Sequence, residues 1–225
     1  MKMVEMKKPW VQIAMDVTDV DLACEYAKMA VEIGADWIEV GTPLIYYGSV
    51  YVTGKITEIA GDIPVFVDYK AQDGVYKYFK VAAEQKGKIA VVLGVCNDGS
   101  IKEAVRAGRE CGIGVVGDLF SVPNDKLLSR AIELEALGVD YLFLHLGIDE
   151  QKHGALKTAT TGLQDIVSHV EIPVGVAVYD YESAEKAIKL GASWVAMGEP
   201  MLSAPDNREQ LKEFIDKVHR LGESG

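Results

Sequence analysis

Short apolar runs alternate with amphipathic stretches along the whole chain, and three of the runs open with the same local phrase. The copies are Ile33-Gly34-Ala35-Asp36-Trp37-Ile38-Glu39-Val40-Gly41, Leu137-Gly138-Val139-Asp140-Tyr141-Leu142-Phe143-Leu144-His145, and Leu190-Gly191-Ala192-Ser193-Trp194-Val195-Ala196-Met197-Gly198. Each reads as a helix end stopped by a glycine, a short loop, and a strand of the length and branching found where both faces are covered. Weaker copies lie at Val11–Met15, Val65–Val67, Ile89–Leu93, Gly114–Gly117 and Val174–Val178, which brings the strand candidates to eight. Between them, helical spacing of apolar residues runs over Asp19–Glu32, Val75–Gln85, Ser100–Glu110, Asp125–Ala136, Tyr181–Lys189 and Asn207–Leu221. Tyr46–Ala60 is less clearly helical because Gly48 and Gly54 weaken it, and Ala155–His169 reads as a helix with an ill-defined start.

Eight strand–helix units in 225 residues fit a single α/β domain, a (β/α)8 TIM barrel, with residues 1–9 as an extension and 222–225 as a tail. The competitor is an open, doubly wound sheet. That fold usually carries a glycine-rich turn after its first strand, where this chain has Met15-Asp16-Val17-Thr18.

Composition narrows the function classes. With 23 Lys+Arg against 34 Asp+Glu, the formal net charge of −11 argues against a nucleic-acid or anionic-membrane partner. Three widely spaced cysteines, Cys24, Cys96 and Cys111, make neither a disulfide framework nor a Cys-x-x-Cys pair. The first eight residues carry charges where a signal peptide needs an apolar run, and no stretch reaches the length of a membrane span, so the expected compartment is the cytoplasm.

In a barrel, chemistry sits at the C-terminal ends of the strands. The polar residues there are Asp16, Glu39, Asp68 with Lys70, Asn97-Asp98, Asp118 and His145. Carboxylates converging on one axis need a cation to stay ionised, and Lys70 and a hard divalent ion such as Mg2+ are the candidates, with Glu39 and Asp68 on neighbouring strands as its ligands. The alternatives are that the acids only cap the following helices, that Asp68 and Lys70 form an ordinary ion pair, and that His145 is a core histidine. Asp68 and Lys70, two apart, are expected on one side of the strand, with Asp73 near enough in sequence to help hold the ammonium; such a lysine can stabilise a forming carbanion or enediolate or give it a proton.

The run Asp68-x-Lys70-x-x-Asp73 resembles the motif of the orotidine 5′-phosphate decarboxylase suprafamily, which also contains 3-hexulose-6-phosphate synthase and 3-keto-L-gulonate-6-phosphate decarboxylase. Gln12-Ile13-Ala14-Met15-Asp16 is similar to the family's first strand, Ile38-Glu39-Val40-Gly41-Thr42-Pro43 to its second, and Leu144-His145-Leu146-Gly147-Ile148-Asp149 to the sixth-strand segment of the hexulose-phosphate synthases. Glu39 points to the sugar-phosphate branch, since the orotidine enzymes resemble Lys-Val-Gly at that place. The resemblance implies a Mg2+-dependent lyase that forms an enediolate of a sugar phosphate, most like formaldehyde addition to a ketopentose phosphate. Glu39 and Asp68 would hold the metal, Lys70, Asp73 and His145 would serve the enediolate and its protons, and Asp16, Asp118 and Gly198 would contact substrate. It also implies a homodimer in which Asp73 reaches the neighbour's site and in which some of the aromatic residues at Tyr46-Tyr47 and Tyr76–Phe79 line the interface. Decarboxylation of a keto-acid sugar phosphate is the alternative within the family.

Two segments depart from the pattern. Where relatives carry glycine pairs, or Gly-Arg, whose backbone faces a phosphate, this chain has Ala177-Val178-Tyr179-Asp180 and Gly198-Glu199-Pro200. A carboxylate and a proline replace donors there. A divergent barrel that binds an unphosphorylated ligand without lyase chemistry is the reading those departures motivate.

Overall fold

Alternation along each strand separates two layers of core, and that separation positions everything else. The computed structural model describes residues 9–153, 158 and 160–222; the greater part of the expected N-terminal extension and of the tail lies outside them. In chain order the elements are β1 (Trp10–Met15), α1 (Val20–Ile33), β2 (Trp37–Val40), α2 (Thr42–Gly48), α3 (Val52–Ala60), β3 (Val65–Ala71), α4 (Val75–Glu84), β4 (Ile89–Leu93) and α5 (Asp98–Cys111). They continue with β5 (Gly114–Asp118), a 3-10 turn at Asn124–Lys126, α6 (Leu127–Leu137), β6 (Tyr141–Leu144), α7 (Ile148–Lys152), α8 (Leu163–Val167), β7 (Val174–Val178), α9 (Tyr181–Lys189), β8 (Trp194–Met197) and α10 (Asn207–Leu221). The eight parallel strands are hydrogen-bonded in sequence order and close β8 onto β1, a (β/α)8 barrel.

Outward-facing residues such as Ile13, Ile38, Val67, Leu142, Val176 and Val195 pack under the helices. Inward-facing residues one position away form a separate cluster inside the barrel, built from Trp37, Phe66, Val116, Tyr141, Phe143 and Trp194. Trp37 lies 5.1 Å from Trp194 and 5.7 Å from Tyr141 in edge-on contacts, while Phe143 stacks on Trp194 at 6.0 Å. This aromatic plug fills the barrel near the strand starts, where the sequence reading placed Trp37, Tyr141 and Trp194 for packing.

The repeated phrase has a mechanical basis. Gly34, Gly138 and Gly191 all take positive φ (85°, 97° and 100°), reversing the chain after a helix. The acid that follows in two copies then binds the preceding strand: Asp36 accepts from the Val11 amide and Asp140 from the Val115 amide, each at 2.9 Å. In the third copy the backbone carbonyl of Ser193 takes the Trp10 amide at 3.2 Å. Each phrase thus fixes where its strand begins relative to a neighbour.

Several boundaries differ from the sequence reading. Tyr46–Ala60 is parted into α2 and α3 at Ser49, whose φ of 63° no helix can contain. The helix expected over Ala155–His169 is realised as α8 alone among the described residues, and residues 155–157 and 159 lie outside them. β3 runs four residues past Val67, to Ala71.

Candidate active site

The same alternation that builds the plug aims the polar side chains. Trp37 leads to Glu39, Phe66 to Asp68, Val116 to Asp118 and Phe143 to His145, each two residues along and so on the same, inward side. On β1 the inward series is Trp10, Gln12, Ala14 and then Asp16. The result is a cavity of about 500 Å³ above the plug, lined by Asp16, Glu39, Asp68, Lys70 and His145 among others.

Lys70 reaches the cavity through a break in the alternation. β3 pairs with β4 at Val67–Ala90 and again at Ala71–Val92, so the intervening residues bulge and Lys70 adopts φ 45°. The bulge folds the ammonium back onto the Asp68 carboxylate, and the Lys70 amide donates to the other oxygen of that carboxylate at 3.2 Å. Thr42, at the start of α2, locks the pair. Its hydroxyl accepts from Lys70 Nζ at 3.1 Å and has the Asp68 carbonyl at 2.9 Å and Oδ2 at 3.0 Å for its own proton. Burial works against the Lys70 charge, but Asp68 and Asp118 outweigh it and raise the ammonium above the ordinary lysine value.

Glu39 is buried, 5% exposed, and Oε2 accepts from Gln12 Nε2 at 2.6 Å. Burial first, then the charges of Asp16 and Asp68, push its carboxyl well above the usual glutamate value; Lys70 and the Gln12 hydrogen bond pull the other way. Asp16 is raised for the same reasons, burial and then Asp68. It does not cap the following helix, because Asp19 does so by accepting from the Asp21 and Leu22 amides.

On the far wall, Asp118 is 1% exposed; Oδ1 accepts from the Phe120 amide at 2.9 Å and Oδ2 lies 3.3 Å from His145 Nδ1. The imidazole sits against the Phe120 and Phe143 rings, at 5.1 and 5.7 Å. With Nδ1 turned to Asp118, Nε2 is the nitrogen left for a ligand. Gly198 lines the cavity where β8 meets β1, and a β-carbon there would stand 2.9 Å from the Ala14 carbonyl, so its bare Cα lets the strand ends close.

Asp73 departs from the expectation that it helps hold Lys70 within one chain. It is exposed, on the loop between β3 and the left-handed Gly74, and outside the cavity lining, because extension of β3 to Ala71 carries the chain past the mouth before Asp73 is reached. Lys70 is held by Asp68, with Asp118 and Glu39 contributing charge. Two contributors went unassigned in the sequence. Gln12 shares the inward parity of Asp16, which is the signal that could have found it; the Thr42 bridge depends on how α2 meets β3, and nothing local announces it.

The donor set suits a hard cation. Glu39, Asp68 and Asp16 present only oxygen donors around one cavity, and Lys70 lowers the raised carboxyls of Glu39 and Asp16 only in part. Among the described residues there is no group of three or more His, Cys, Asp or Glu side chains set to cage a metal. Mg2+ does not need one, since it retains waters and is usually held by one or two carboxylates plus substrate oxygens. The residues therefore fit Mg2+ held by Glu39 and Asp68 and completed by water and ligand.

A barrel with a buried acid–base centre at its C-terminal mouth defines the class of an α/β-barrel enzyme. The chain belongs to the Orotidine 5′-phosphate decarboxylase / HUMPS family, whose model matches residues 9–214. It is 30% identical over 210 residues to the 3-hexulose-6-phosphate synthase of Bacillus subtilis, covering 91% of this chain and 97% of that protein. The synthase of Mycobacterium gastri is 31% identical over 207 residues, covering 90% and 96%. The crystal structure of the Salmonella typhimurium 3-hexulose-6-phosphate synthase superposes with a TM-score of 0.86 at 26% identity, over 95% of this chain and 99% of that one. Full-length similarity to these synthases makes the chain an enzyme of the lyase class. No helix among the described residues is long and apolar enough to cross a membrane.

Proposed function

We propose that the chain is a Mg2+-dependent carbon–carbon lyase that forms and quenches the enediolate of a keto sugar, in the manner of 3-hexulose-6-phosphate synthase. The observation that carries this is the Lys70 ammonium, fixed by Asp68 and Thr42 in a cavity that also holds His145. In the addition direction, His145 Nε2 takes a proton from the carbon next to the ketone, and the electron pair moves onto the carbonyl oxygen. Lys70 faces that developing negative charge and stabilises it without giving up its own proton. The enediolate carbon then attacks the carbon of formaldehyde, and the alkoxide so formed takes the proton back from His145. Asp118 holds the imidazole through Nδ1 so that Nε2 makes both transfers. Lewis-acid stabilisation of the enediolate oxygens is what Mg2+ supplies when held by Glu39 and Asp68. This reading concerns the reacting carbons, not the far end of the substrate.

The test is proton exchange. A ketopentose or its phosphate incubated with protein and Mg2+ in deuterated water should incorporate deuterium at the carbon beside the carbonyl, and formaldehyde should convert that carbon into a new C–C bond. Absence of exchange across ketoses and their phosphates, with decarboxylation of a keto-acid sugar phosphate absent in a parallel assay, overturns the reading.

The metal assignment makes its own prediction. Calorimetry should show Mg2+ binding that weakens by about ten-fold or more in Glu39→Gln and Asp68→Asn. Because the carboxyls of Glu39 and Asp16 are raised in the folded state, their contribution to stability is fully present below the ordinary values of 4.5 and 3.8 and is lost as pH rises through the raised ones. The melting temperature without metal should therefore fall as pH rises above the ordinary carboxyl range, and the gain on adding Mg2+ should grow in the same direction. Equal Mg2+ affinity in native and substituted proteins removes Glu39 and Asp68 as ligands.

Cytoplasmic placement and a homodimer belong to the same reading. Tyr46 and Tyr47 of α2 are 81% and 74% exposed, and Tyr51, just before α3, and Tyr78, on α4, are exposed as well. A second copy over this surface would cover those rings and bring its own Asp73 within range of the cavity, an assembly that sedimentation reads directly.

A further inference from the structure

The cavity wall made by the ends of β7 and β8 determines what the substrate can carry away from its reacting carbons. Among the described residues, the basic groups lining the cavity are Lys70 and His145, whereas Asp16, Glu39, Asp68, Asp149, Glu150 and Glu199 all line it as acids. Lys70 is engaged by Asp68, and His145 faces Asp118. Among the described residues, a dianionic ligand therefore enters a cavity whose ammonium is already paired with a carboxylate and whose imidazole already faces another.

The described turn after β7 offers an anion no open helix end either. α9 begins directly after β7, but its first turn is capped from within: Asp180 Oδ1 accepts from the Ser183 amide and hydroxyl, both at 2.7 Å. The amides of Tyr179 and Asp180 in turn point at that same hydroxyl, each at 3.4 Å. The positive end of the helix is thus covered by its own carboxylate. Tyr179 spends its hydroxyl proton on the Leu146 carbonyl at 2.8 Å, tying the end of β7 to the loop after β6. After β8, Glu199 accepts from the Ser203 hydroxyl, and Pro200 has no N–H to present. The rest of this wall is Ala177, Val178, Ala196 and Gly198, uncharged and small.

From this geometry we propose that the end of the substrate held between β7 and β8 is uncharged: the cavity takes an unphosphorylated keto sugar, whose terminal hydroxyl donates to Glu199, in place of a sugar phosphate. The inference rests on the enediolate reading of the same site and names the substrate class for it. A carboxylate accepting a hydroxyl proton forms a strong, charge-assisted hydrogen bond, whereas the same carboxylate repels a phosphate. The oxygen that Ser203 engages leaves the second Glu199 oxygen for that role.

Calorimetry in Mg2+ with D-ribulose, D-xylulose and D-fructose, each beside its terminal monophosphate, tests this directly, with inorganic phosphate as a competitor. At least one free sugar should bind about ten-fold or more tightly than its own phosphate, and inorganic phosphate should not compete. Glu199→Gln should weaken the free sugar several-fold, and Glu199→Arg should move the preference toward the phosphate. Tighter binding of the phosphates than of their parent sugars, or competition by inorganic phosphate, overturns the inference. Deuterium exchange on the same ligands separates it from the reading beneath it. Exchange confined to the phosphates leaves the lyase chemistry standing and removes the uncharged substrate. Free-sugar binding without exchange does the reverse, and binding of neither set removes both.

Discussion

Lys70→Ala should lower the rate of deuterium exchange, and of aldol formation, by about 10² or more, because it removes the ammonium that lines the cavity where the enediolate charge develops. The fold should survive. Lys70 lies on a bulge at the strand end, outside the aromatic plug, and its side chain is partly exposed. Its φ of 45° is a left-handed conformation that costs a non-glycine residue about 1 to 2 kcal/mol, and alanine adopts it no worse than lysine does. Strain of this kind persists where surrounding contacts over-determine it, here the Asp68 carboxylate and Thr42 hydroxyl. A second measurement separates an electrostatic role from a structural one. Lys70 opposes the upward shift of both Glu39 and Asp16, so its loss should leave the carboxylates less compensated and Mg2+ bound at least as tightly as in the native protein. Exchange at the native rate in Lys70→Ala, with Mg2+ binding intact, would remove Lys70 from the chemistry.

The barrel was readable because its strands are short apolar runs between glycine-stopped helices, and both signals are local. Tyr181–Lys189 and Asn207–Leu221 are helices with the bounds the periodicity implies, and the three glycine phrases are the three strand entries they resemble. The polar ends of those strands were readable for the same reason. Asp16, Glu39, Asp68, Asp118 and His145 meet around one cavity or its wall because parity carries a residue at a strand end to the side its neighbours two positions back already face. What stayed hidden is what depends on two elements at once. Gln12 sits inside an apolar run, and only the closure of β1 against β2 shows that it meets Glu39. The bulge that turns Lys70 inward comes from a register shift between β3 and β4, which no single strand encodes. Asp73 misled in the opposite sense: closeness in sequence to Lys70 suggested a contact that the path of the β3–α4 loop does not make.

Gly175→Ala should be the most damaging single-methyl change in the barrel. Gly175 pairs with Trp194 across β7 and β8, and both face the interior. A β-carbon on Gly175 would stand 2.0 Å from Trp194 Cε2, 2.3 Å from Cζ2 and 2.4 Å from Cδ2, well inside any tolerable contact. The indole cannot step aside, since Phe143 stacks on it and Trp37 and Tyr141 meet it edge-on. Overpacking a close-packed interior typically costs about 1 to 3 kcal/mol, and a clash with a fully buried ring held on three sides belongs at or beyond the upper end. For a chain of this size about 3 kcal/mol corresponds to a fall in melting temperature of roughly 6 to 12 °C. The consequence reaches the active site, because Ala177 and Tyr179 continue the same inward row of β7 and would be displaced with it. Replacing the indole with a smaller ring in Gly175→Ala/Trp194→Phe should recover part of the lost stability, a coupling that two independent sites would not show. A melting temperature for Gly175→Ala within about 2 °C of native, less than 1 kcal/mol in a chain of this length, would mean that the plug yields to the extra methyl and does not fix the height at which the site is built.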